Sequence, residues 1–100
     1  MPTRVINIKS DEKYDVYCGR PGPFGNPFQS GSRDTNIENY RRMFLERVKV
    51  DERFKRAVLV LKGKTLGCFC RPVTGFKGTV LCHVQIIAGW VDGIPPEEVA

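Results

Sequence analysis

The 100-residue chain has a single histidine, His83, and no stretch of about 18 consecutive apolar residues. The second absence excludes a membrane-spanning helix. The first limits acid–base chemistry: His83 is a general-base candidate, but no nucleophile can be assigned to it by position and no orienting carboxylate is evident. No Gly-Lys-Ser/Thr follows a glycine-rich loop, and the glycine spacing does not fit a dinucleotide fingerprint. The opening segment, MPTRVINIK, has no long apolar run, so no secretory signal is expected and the expected setting is cytoplasmic. There, Cys18, Cys68, Cys70 and Cys82 are expected as thiols or metal ligands rather than disulfides. Cys68 and Cys70 are too close in an extended segment to bridge each other without strain.

What is present fits one domain over residues 1–100, with 41% hydrophobic and 27% charged residues. A net charge of +5 admits an anionic partner (nucleic acid, a nucleotide or phosphate) or simply a solvated surface, because Lys and Arg form no block.

Arg4–Lys9, rich in β-branched residues, reads as a strand. Asp15–Cys18 reads as a second, and the short link favours an antiparallel pair. Gly19–Phe28 holds three glycines among its first seven residues and three prolines, which forbid a helix and make a shaped loop. Thr35 with Glu38 fits a capping box. Ile37, Tyr40, Phe44 and Val48 then recur at helical spacing. Asp51 can cap a second helix carrying Phe54, Val58 and Leu61 on one face, with Gly63 as its C-terminal cap. Thr65–Cys70 reads as a third strand ended by Arg71-Pro72. Gly78-Thr79 open a final helix to about Trp90. These elements predict a small α/β domain of two or three layers, with helices packed on a short, mostly parallel sheet of about three strands. If the second and third strands are parallel, both loops lie beyond their C-terminal ends, where open α/β sheets bind ligands.

In the first loop, glycine lets backbone N–H groups approach and cup an anion. Arg20 beside Gly19 and Pro21 can make a bidentate contact, and Asn26, between Gly25 and the Pro27-Phe28 pair, can read a polar edge. The competing reading is a rigid turn with Phe24 and Phe28 plugging the core. Arg33 and, from the second loop, Cys70, Arg71, Lys77 and Thr79 complete the candidate ligand-binding set. Arg20 and Arg71 each follow a strand and are expected to converge on one pocket. Zinc is disfavoured: Cys82 and His83, adjacent on a predicted helix, would diverge by about 100°, and Cys68 with Cys70 does not close a tetrahedron. In the final helix Val80, Val84, Ile87 and Val91 form one apolar stripe. Cys82, Ile86 and Trp90 form a second, which predicts a homo-oligomer, most simply a two-fold dimer, sharing that face; the competing reading is a central helix covered by a loop of the chain itself.

The order VxNI, DVYxGRP, FGNPF, GKxLGCxCxP and GxVL over residues 4 to about 82 resembles a small family of bacteriophages and bacteria, the domain of unknown function DUF4326. Members carry Cys-His-Gly after the CxCxP proline. This chain has Phe76-Lys77-Gly78 at the matching stretch, which removes two metal-ligand candidates and leaves a cationic Lys77. The resemblance implies a phage-type context and no particular activity.

Three functions remain in view. The first is a binder of a nucleotide or nucleotide-derived molecule, which in a phage setting could sequester a host signalling nucleotide. The second is a basic nucleic-acid-binding module, with Tyr17, Phe24, Phe28 and Phe69 as stacking residues. The third is an enzyme acting on a nucleotide or nucleoside, for which no acid–base pair is visible.

Overall fold

Val5 and Ile6 are β-branched, and the segment that holds them forms strand β1, Arg4–Asn7. Strand β2 is Val16–Tyr17 and strand β3 is Thr65–Cys68. The computed structural model describes residues 2–9, 13–19, 24–28, 30–68 and 82–99, leaving aside the side chains of Arg33 and Glu97. The sheet order is β1-β3-β2, and β3 pairs in parallel with both neighbours. The small, parallel α/β architecture expected from the sequence is therefore the one observed. The antiparallel pairing expected between the first two strands is not, because β3 lies between them.

Gly67, in the middle of β3, gives the reason. A Cβ there would come within 2.7 Å of Cγ2 of Ile8 and 2.8 Å of Cγ of Tyr14. Side chains from the two ends of the β1–β2 link thus lie over the central strand, and a glycine leaves them room. The other face of the sheet carries Val5, Leu66 and Cys68, which join the helical residues in one buried cluster. Among the described residues the domain has two layers: a sheet, and helices on one face of it.

Helix α1 spans Arg33–Val50, and the Ser32 hydroxyl accepts the Thr35 N–H at 3.2 Å as its N-cap. The N-cap therefore lies three residues before the Thr35 at which a capping box with Glu38 is expected. Glu38 instead pairs with Arg42 at 3.4 Å. Asp51 ends α1 and starts helix α2, Glu52–Leu59: its N–H donates to the Arg47 carbonyl at 2.8 Å, and its carboxylate accepts the Phe54 N–H at 3.1 Å. Tyr40, Phe44, Val48, Phe54, Val58 and Leu61 are all buried, as their spacing predicts. Gly63 lies beyond the helix end, which Val60 caps, and serves the turn into β3 at φ 79°.

Helix α3 runs His83–Asp92 from an N-cap at Cys82, whose backbone is extended at φ −147° and ψ 140°. The expected start at Gly78-Thr79 is therefore too early for this helix. Val84, Ile87 and Val91 form its buried stripe, while Val80 lies outside the described residues. The second apolar sector is covered within the chain: Cys82 is 0% and Ile86 4% exposed, so neither offers a surface to another subunit. The tail folds back over α3, with Ile94 N–H donating to the Gly89 carbonyl at 2.9 Å and Gln85 Nε2 to the Pro96 carbonyl at 3.3 Å. Trp90 is half-buried, its ring edge-on to Phe44 at 5.8 Å. Helix α3 is thus covered by the chain itself at Cys82 and Ile86, with Trp90 left partly exposed. Among the described residues no helix is long and apolar enough to cross a membrane.

Candidate functional site at the strand ends

Parallel pairing puts the C-terminal ends of all three strands at one edge, with Asn7 level with Cys68 and Tyr17 level with Gly67. Cys18 leaves β2 there, its N–H donating to the Gly67 carbonyl at 2.9 Å. Cys82, at the start of α3, reaches the same place and lies with its Sγ 3.0 Å from Cys68 Sγ. The Nε2 of His83 lies 2.8 Å from the Cys18 carbonyl oxygen. A carbonyl only accepts, so Nε2 carries a proton, and in the neutral ring Nδ1 is then the acceptor nitrogen. That Nδ1 lies 3.9 Å from Cys82 Sγ. The expectation that adjacent Cys82 and His83 diverge is thereby corrected: Cys82 is the cap rather than a helical residue, and its extended backbone turns the sulfur toward the ring.

Tyr40 packs edge-on to the His83 ring at 4.8 Å, and its hydroxyl donates to the Phe24 carbonyl at 3.1 Å. Burial, with Cys68 close by, pushes the Cys18 thiol up to about 12. Burial also raises Tyr40, with neighbouring Cys18 and Cys82 adding to it. Both therefore stay protonated at neutral pH. Thiolates and imidazole are ligands for soft metals, yet among the described residues no group of three or more His, Cys, Asp or Glu is arranged to hold one.

The described part of the first loop is turned inward. Asn26 is buried; its Nδ2 donates to the Asn36 carbonyl at 3.2 Å and its Oδ1 accepts the Phe28 N–H at 2.9 Å. Phe24 is buried and Phe28 packs against the core, so neither ring stands out as a stacking platform. Gly25 is half-buried. Gly19 is buried under the Tyr17 ring and hydroxyl, which occupy the space a Cβ would need. Arg33 opens α1. Arg20, Pro21, Cys70, Arg71, Lys77 and Thr79 lie outside the described residues, and with them the expected convergence of Arg20 and Arg71. The sequence reading missed the grouping of Cys18, Tyr40, Cys82 and His83. One signal was available: Cys82 with Gln85 has capping-box spacing, and both of its hydrogen bonds are made.

A concavity among the helices is lined by Arg42, Leu45, Glu46, Val48, Lys49, Lys55 and Trp90.

The fold and site define a small parallel α/β domain with a buried thiol–imidazole cluster where its strands end. The chain belongs to the family described as Domain of unknown function (DUF4326), whose model matches residues 5–93. It is 38% identical over 88 residues to the "Uncharacterized 12.4 kDa protein in nrdA-td intergenic region" of Enterobacteria phage T4, covering 85% of this chain and 73% of that protein. No solved structure matches.

Proposed function

We propose that the domain binds a small anion, a nucleotide or nucleotide-derived molecule, at the C-terminal edge of its sheet. The observation that carries this reading is the shared edge at which β2 and β3, paired in parallel, both end. Open α/β sheets take ligands in that crevice. Gly19, Arg20 and Pro21 follow β2 in sequence, and Cys70, Arg71, Lys77 and Thr79 follow β3. Arg20 and Arg71 serve as bidentate anion contacts and Lys77 as a point charge. Arg33 adds a further cation, while Asn26, Gly25 and Phe28 shape the loop from behind. The reading calls for no metal or other cofactor. The likeness to a phage protein supports a phage-borne setting, where such a binder would withhold a host signalling nucleotide.

The basic balance of the chain supports nucleic acid as an alternative partner. Against it, exposed cations of α1 and α2 are interleaved with acids, as in the Arg42–Glu38 and Arg56–Glu52 pairs at 3.4 and 3.5 Å. Mass spectrometry of small molecules released on denaturation tests the proposal. The expected result is a phosphate-bearing small molecule from the wild type and its loss from Arg20→Ala and Arg71→Ala. A protein that releases none, and whose affinity for nucleic acid falls steeply with salt, supports the alternative.

A further inference from the structure

We propose that Cys68 and Cys82 form a dithiol–disulfide pair, oxidised by a small disulfide of the glutathione class to a bond joining the end of β3 to the start of α3. This stands independently of the ligand assigned to the strand-end edge. The sulfurs are already 3.0 Å apart, inside the ~3.5–4.0 Å at which even carbon atoms rest in non-bonded contact. An S–S bond, at about 2.05 Å, needs roughly one further ångström of approach.

The surroundings of Cys82 suit a nucleophilic thiolate. It caps a ten-residue helix, and its Sγ accepts the Val84 N–H at 3.4 Å. The partial positive charge of a helix N-terminus stabilises a negative sulfur there. Its backbone N–H donates to Gln85 Oε1 at 3.0 Å, which fixes the cap. The acceptor nitrogen of His83, Nδ1, is 3.9 Å from the sulfur and can take its proton. The Cys18 thiol is pushed up to about 12 by burial and then by Cys68, which keeps it protonated.

The steps balance. Cys82 passes its proton to His83, and the thiolate attacks one sulfur of the small disulfide. A mixed disulfide forms, and the first small thiolate leaves, taking the proton back from His83. Cys68 then attacks Cys82 Sγ and expels the second small thiolate, which leaves with the proton Cys68 gave up. The two protein thiols are oxidised, and one small disulfide is reduced to two thiols. Both sulfurs are buried, so exchange proceeds by local opening and is slower than in the unfolded chain.

The test treats the folded wild-type chain with glutathione disulfide and follows intact mass, peptide linkage and thermal midpoint. The expected product is lighter by two hydrogens, carries a single 68–82 linkage, and melts roughly 10 °C higher. Cys70→Ser should form the same bond. Cys82→Ser and Cys68→Ala should each stop at a glutathione adduct or remain reduced. A linkage to Cys70 in the wild type, adducts without an internal bond, or thiols that react only in denaturant would overturn the proposal.

Discussion

The Asp92 carboxylate accepts two hydrogen bonds from Thr3, one from the backbone N–H and one from the hydroxyl, each 2.7 Å long. The same hydroxyl oxygen accepts the Gly63 N–H at 2.9 Å. Three distant pieces of chain therefore meet at Thr3: the segment before β1, the end of α3 and the turn before β3. A carboxylate in the last turn of a helix opposes the helix dipole, so this clamp accounts for an acid where the dipole disfavours one. Thr3→Val removes the shared hydroxyl and leaves the Gly63 N–H and one Asp92 carboxylate oxygen without that partner. The expected loss is about 1.5–3 kcal/mol in urea unfolding, and a change below about 0.5 kcal/mol would show that the clamp contributes little.

Gly89 lets the tail lie on α3. A Cβ there would meet the Ile94 carbonyl oxygen at 2.8 Å and the Pro96 backbone at 3.2 Å. Backbone cannot step aside as a flexible side chain can. Gly89→Ala is expected to lower stability by roughly 1–3 kcal/mol although alanine is the better helix former. Gain of stability, with the tail still protected from proteolysis, would contradict this packing.

Cys18 predicts a pH dependence. Its thiol is pushed up to about 12 when folded, against about 8.5 in an unfolded chain. Between those values the folded chain holds a proton the unfolded chain has released, so stability falls as pH rises. Its contribution is complete at neutral pH and declines above about 8.5 by roughly 1.4 kcal/mol per pH unit. Tyr40, also raised, adds to the decline at higher pH. Urea midpoints measured between pH 7 and 10 should drop, and Cys18→Ala should flatten the curve. A wild-type profile as flat as that of the variant would exclude Cys18 as its source.

Asn26 separates scaffold from ligand contact. Both ends of its amide bond to the protein's own backbone, so Asn26→Ala should destabilise the fold by about 1–3 kcal/mol. Once folded, it should change ligand affinity less than Arg20→Ala does. The opposite ranking, in calorimetric titrations of folded variants, would restore Asn26 as a direct contact.

Helical periodicity exposed the core, because Tyr40, Phe44, Val48, Phe54 and Val58 face one way whatever the rest of the chain does. Asp51 was readable as a cap because an acid at a helix junction satisfies N–H groups locally. Strand order was not readable in that way. A short link permits a hairpin, and only the packing of Ile8 and Tyr14 over Gly67 shows why the chain crosses β3 instead. The start of α3 was misplaced because apolar Val80 and Leu81 continue the helical pattern, while an extended Cys82 interrupts it. The thiol–imidazole cluster is illegible for the same reason: adjacent side chains within one helix diverge, whereas an extended cap turns its side chain toward the first helical residue. Asn26 and Phe28 show the converse, since loop composition suggests a ligand surface but cannot say which way a side chain turns.

The most direct test of the central claim is a titration of isotope-labelled protein with a panel of nucleoside phosphates and dinucleotides, followed amide by amide by NMR. Binding at the strand-end edge predicts shifts concentrated at Cys18, Gly19, Cys68 and His83. Shifts confined to Leu45, Lys49 and Trp90 around the concavity among the helices, or none across the panel, would contradict it.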